Sequence, residues 1–112
     1  MAEFIAFTPA TARRFLAEQS YVDRIHVSLM GKHGGFQPVP VLSAGEFVKV
    51  TTGLNPVVSA DALGQWVADK LGDPELADAI RAECAEVPLF EQARVACGLV
   101  AKRVTEAQEV LG

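Results

Sequence analysis

The sequence predicts an α+β fold: a small, mostly antiparallel sheet of three or four strands with one helix in the N-terminal half, followed by three consecutive amphipathic helices. Two observations carry this. Apolar residues alternate with polar ones in short runs separated by Gly and Pro before residue 56. From Ser59 onward they recur at intervals of three and four, between residues that start and stop helices. At 112 residues, half of them hydrophobic, the chain has enough apolar side chain for one core and reads as a single domain, residues 1–112. Its mainly β half with one helix covers 1–56, and its helical half 57–112.

Residues Glu3 to Phe7 read as a short apolar strand through Phe4, Ile5 and Phe7. Thr8 is a helix N-cap and Pro9 the first helical residue. The helix to about Gln19 turns Ala12, Phe15 and Leu16 inward, and Arg13 and Arg14 outward. The stretch from Arg24 to Leu29 alternates polar and apolar, the period of a half-buried strand. Gly31-Lys32-His33-Gly34-Gly35 is then a turn, and Phe36 to Leu42 the returning strand of a hairpin. Pro38 and Pro40 share one parity, so both missing N–H donors fall on one side, as an edge strand allows. Glu46 to Thr52, rich in β-branched residues, reads as another strand; the strand order stays open.

Gly53 to Pro56 marks the boundary between the halves. Ser59 caps a helix with Asp61 in its first turn, a stripe of Leu63, Trp66, Val67 and Leu71, and Gly72 as its stop. Asp73-Pro74-Glu75 starts the next, with Leu76, Ala79, Ile80 and Cys84 inward. The last helix runs from Pro88 to about Leu111. Phe90, Ala93, Cys97, Val100, Val104, Ala107 and Leu111 make a heptad seam along it, widened at first by Leu89, Ala96 and Leu99. The expected core draws on Phe15, Val27, Val48, Val50, Leu63, Trp66, Leu76, Ile80, Phe90, Cys97 and Val100.

The net charge is −4, and the helical half holds the imbalance, with five Lys/Arg against ten Asp/Glu. An acidic chain without a basic cluster points away from nucleic acid and from anionic membrane surfaces. No apolar run approaches a membrane span, and the N-terminus lacks the layout of a signal peptide, so the expected location is cytoplasmic.

Candidate chemistry is sparse. The Gly31–Gly35 turn, with Lys32, His33 and the backbone of Gly34 and Gly35, is a candidate anion or small-ligand site. His26 is a further contact, with Arg13, Arg14 or Arg24 as partners. It matches neither phosphate-binding glycine pattern, and an exposed hairpin turn explains it as well. Two His and two Cys, the latter inside apolar stripes, do not make a metal set or a nucleophilic pair; no metal and no cofactor is expected. Asp73, Glu75, Asp78, Glu83, Glu86 and Glu91 form an acidic band read as a solvated face, or as a docking surface for a basic partner. The order Trp66–Leu71, Gly72, helix resembles a helix-turn-helix, but the second helix would present Glu75, Asp78 and Glu83 to a groove that requires donors and cations. The narrow end of the seam, Val100, Val104, Ala107 and Leu111, is the candidate interaction surface for a protein partner or for a second copy as a homodimer. The function expected from these features is a small non-catalytic interaction or regulatory module acting through its C-terminal helices. The alternative is a ligand-binding domain, with or without enzymatic activity, built on the hairpin turn.

Overall fold

The computed structural model describes residues 4–30, 35–52 and 56–112. It is α+β, with a three-stranded antiparallel sheet and five α-helices. In chain order these are α1 (Pro9–Leu16), β1 (Ile25–Met30), β2 (Phe36–Val41), α2 (Ala44–Thr52), β3 (Pro56–Val57), α3 (Ala60–Asp69), α4 (Pro74–Glu83) and α5 (Leu89–Leu111), with a short 3-10 turn at Tyr21–Asp23.

The expected caps form. The Thr8 hydroxyl accepts from the Thr11 amide while Thr11 Oγ1 accepts from the Thr8 amide, a reciprocal box that fixes the start of α1. Ser59 and Asp73 cap α3 and α4 through the amides of Ala62 and Leu76. Helix α1 stops at Leu16, short of the expected Gln19, because the Gln19 amide turns to the Leu42 carbonyl at 2.7 Å.

The hairpin also forms, and its second strand is an edge. The sheet order is β2-β1-β3, and Pro38 and Pro40 lie opposite Ser28 and His26. The ladder continues past both prolines, which places their nitrogens on the open side. The third strand is Pro56–Val57, paired with Ser28 and Leu29, where the sequence suggested only a break.

Two expected strands are absent. Residues 4–7 join no sheet; the Ile5 amide and carbonyl are taken by side chains of α4 and α5. Glu3 lies outside the described residues. Residues 46–52 are helical: Glu46–Thr52 belongs to α2. Ser43 and Glu46 decide this. The Ser43 hydroxyl accepts from the Glu46 amide, and the Glu46 carboxylate reaches back to the Leu42 amide. The burial pattern agrees, with Ala44, Phe47 and Thr51 buried at steps of three and four. Thr51 and Thr52 fold their hydroxyls onto carbonyls one turn back, which lets β-branched polar residues sit in a helix.

Helix α5 is the spine. It packs on α1, α2, α4 and β3, while α3 and α4 pack chiefly on each other. Of the three C-terminal helices, α5 is thus the one that meets the sheet, through β3. Phe15, Val27, Leu63, Trp66, Leu76, Ile80 and Val100 are buried as expected; Val48, Val50 and Cys97 are partly buried. Phe90 is not core: it is 59 % exposed, because in the first turn of α5 it turns away from the ridge of Ala93 and Ala96 to lie against the exposed Phe36 of β2.

Gly72, between α3 and α4, has φ +70°, and a methyl there would come within 2.8 Å of the Arg14 guanidinium. Gly72→Ala is expected to cost about 1–2 kcal/mol in urea denaturation, the penalty of a left-handed non-glycine residue.

Candidate functional site

The expected ligand turn is only partly within view. Lys32, His33 and Gly34 lie outside the described residues. Gly35 is exposed, with open space where a side chain would stand. His26 is exposed on β1, four residues before Met30, or roughly 13 Å from the end of the hairpin at strand rise. It accepts a hydrogen bond from Arg24 Nε at 3.2 Å. Arg24 also lies over the Tyr21 ring at 3.5 Å and donates to the Tyr21 carbonyl. Arg14 donates to the Asp69 carbonyl. His26, Arg24 and Arg14 therefore serve other contacts and do not converge with Gly35.

Cys84 is buried, and burial followed by the neighbouring Glu83 charge pushes its thiol up, away from nucleophilic character. Cys97 is partly buried on α5, with Sγ 4.0 Å from the Val48 carbonyl. Among the described residues no group of three or more His, Cys, Asp or Glu could hold a metal ion.

The acidic band divides. Glu83, Glu86 and Glu91 are exposed, and Asp78 pairs with Arg81 at 3.7 Å. Asp73 is 4 % exposed and does not belong to a solvated face. Its Oδ1 caps α4, and its Oδ2 accepts from Arg103 Nε at 2.8 Å. Arg103 is itself 3 % exposed and also donates to Glu106 and to the Ile5 carbonyl. It sits on the buried ridge of α5, with Ala93, Ala96, Val100 and Ala107. Of the proposed seam, Val100 and Ala107 are buried within the chain, Val104 is partly buried, and Leu111 is 41 % exposed. The seam's spacing was legible; that an arginine shares the ridge was not, because charge reads as surface.

A groove of about 410 Å³ opens beside the 3-10 turn. Trp66, Ile25 and Val22 line it, and the Asp23–Lys70 ion pair, 2.9 Å long, stands at its rim. The Trp66 indole N–H donates to the Asp23 carbonyl. The hydrogen bond from Lys70, then that from Ser20, holds Asp23 below the usual carboxylate value; the bond to Asp23 raises Lys70. The depressed Asp23 adds stability that is present above pH 3.8 and is lost as the pH falls through its folded value; the raised Lys70 adds stability that is present below pH 10.5 and is lost as the pH rises through its own. Urea titrations of wild type and Lys70→Met should therefore differ by a constant amount between those limits and converge outside them.

The surface that stands apart lies at the start of α5. Pro88 leads into the helix, and Gln92 anchors its first turn: its Nε2 donates to the Val87 carbonyl and its Oε1 accepts from the Ala60 amide, both at 2.9 Å. So held, Phe90 stacks on Phe36 at the start of β2, with ring centroids 6.3 Å apart and planes 22° from parallel. Phe36 is 51 % exposed, and Leu89, next to Phe90 in sequence, 46 %. Sequence reasoning missed this pair because a phenylalanine on a heptad position reads as core. The available signal was Pro88, which forces the helix to begin beside it.

Comparison of the chain with protein-family models, with curated proteins and with solved structures finds no match.

Proposed function

We propose that this chain is a non-catalytic protein-interaction module whose contact surface is the Phe36–Leu89–Phe90 patch, and that its partner is an apolar, basic segment of another protein. The observation that carries the reading is the Phe36–Phe90 stack itself: two rings packed on each other yet each more than half open to solvent. With Leu89, next to Phe90 in sequence, their exposed surface sums to on the order of 300 Å², the size at which exposed apolar surface begins to mark a binding site.

The rim supports the nature of the partner. Glu86 and Glu91, both exposed, flank Leu89 and Phe90 in sequence, with the exposed Arg94 one turn further along α5, and the helical half is acidic as a whole. Carboxylates around an apolar centre attract cationic segments and repel acidic ones. A second copy of the chain fits less well. The patch is far below the roughly 800 Å² that each partner contributes to a stable dimer, and two acidic rims would face each other.

A synthetic peptide with leucine and phenylalanine anchors between lysines is the direct probe, and the same peptide with glutamates for lysines is its control. The lysine peptide should bind with Kd on the order of 10–1000 µM, as a small interface allows. Phe90→Ser should abolish that binding while leaving the melting temperature nearly unchanged, because Phe90 is an exposed residue. Equal binding of both peptides, or of wild type and Phe90→Ser, would reject the proposal.

A further inference from the structure

Residues 4–7 form neither helix nor strand. What holds them is a small set of side-chain contacts. The Ile5 carbonyl accepts from Arg103 Nη1 and the Ile5 amide donates to Glu75 Oε1, both at 3.3 Å. The Arg103 guanidinium lies 3.7 Å from the Phe7 ring centre and 4.8 Å from that of Phe4. Phe4 and Phe7, three residues apart, thus both lie against the guanidinium that also holds the Ile5 carbonyl, while Ile5 is 73 % exposed.

The seat beneath also has supports outside this segment. Arg103 is fixed by Asp73 at 2.8 Å and by Glu106 at 3.3 Å, and Asp73 is fixed in turn as the N-cap of α4. Such a guanidinium, already oriented and partly desolvated, is a ready platform for aromatic rings and a carbonyl. The segment above it gives up no regular structure when it lifts.

We propose that residues 4–7 are a displaceable strap, and that their seat on Arg103, Asp73 and Glu75 is a receptor for a Phe-x-x-Phe segment delivered by a second copy of this chain. The occupant is inferred from the chain itself, since its own Phe4-Ile5-Ala6-Phe7 fills the seat. The tethered strap has the advantage of a high effective concentration, so exchange between copies follows only when the strap is weakened or the chain is concentrated.

The test uses the full chain and a synthetic peptide of residues 1–8. Full-length Phe4→Ser/Phe7→Ser, and the milder Phe4→Ser that keeps the Phe7–Phe15 contact, should bind the peptide at least about tenfold more tightly than wild type does, because their own strap no longer competes. The peptide with both phenylalanines replaced by serine should not bind. In wild type, the Ile5 amide should exchange with deuterium about a hundredfold faster than the most protected amides of α5, as expected of a local opening. A folded variant that binds the peptide no better than wild type overturns the proposal. So does an Ile5 amide that exchanges only when the whole molecule unfolds.

Discussion

Arg103→Met is expected to destabilise the fold by about 3–5 kcal/mol, the cost of removing one partner of a buried ion pair. Asp73 and Arg103 are 4 % and 3 % exposed, and the Arg103 guanidinium is the cation that faces the Asp73 carboxylate, at 2.8 Å. Without Arg103, Asp73 keeps the Leu76 amide as a partner but no charge to balance its own, in a site from which water is largely excluded. The loss extends beyond that pair, because Phe4, Phe7 and the Ile5 carbonyl all rest on the guanidinium. Adding Asp73→Asn should recover a large part of the stability. Asparagine caps a helix as aspartate does and brings no charge to be neutralised. Guanidinium denaturation of the two single variants and the double one forms the cycle; a double variant no more stable than Arg103→Met would show that the charge itself is not what matters at Asp73.

Phe47→Ala should cost about 3–5 kcal/mol, the range for emptying a large aromatic site in a close-packed core. Phe47 is fully buried on the inner face of α2, between Ala44 and Thr51. The neighbouring Lys49 is exposed, and Lys49→Ala should change stability by less than about 0.5 kcal/mol. The contrast also separates helix from strand at this segment. In a strand, Phe47 and Lys49 would share a face; in α2 they lie about 200° apart. Similar costs at both positions would contradict the helix.

That segment shows where the sequence was readable and where it was not. Helices α1, α3, α4 and α5 announce themselves through Thr8-Pro9, Ser59, Asp73-Pro74 and Pro88, and through apolar steps of three and four. The hairpin does so through alternation and its glycine turn, and its edge through the parity of Pro38 and Pro40. In α2, the run of Val, Thr and Thr favours strand by composition. The Ser43-x-x-Glu46 cap and the packing of Phe47 outweigh that preference, which amounts to a few tenths of a kcal/mol per residue. Strand β3 is too short to carry a pattern, and Glu3 to Phe7 reads as a strand because contact with Arg103, distant in sequence, is invisible to any local rule.

The candidate surfaces divide in the same way. The heptad spacing of α5 was legible, but Val100 and Ala107 are buried within one chain. Leu111 reaches solvent at the C-terminal end of the helix, and Leu89 and Phe90 do so at the other. Phe90 is exposed there because it turns away from the ridge of Ala93 and Ala96, and Phe36 joins it only after the hairpin folds back. Apart from Pro88 beside Phe90, neither residue has a local sequence environment that separates it from core.

The Phe36–Leu89–Phe90 surface is tested most directly by amide chemical-shift mapping of wild type during titration with the lysine-bearing peptide. The shifts should centre on Phe36, Leu89, Phe90 and Glu91 and weaken as salt is added, since the carboxylate rim contributes to binding. Shifts centred instead on the Trp66 groove or on the C-terminal turn around Leu111, or none at all, would contradict the assignment of this surface as the point where the protein meets its partner.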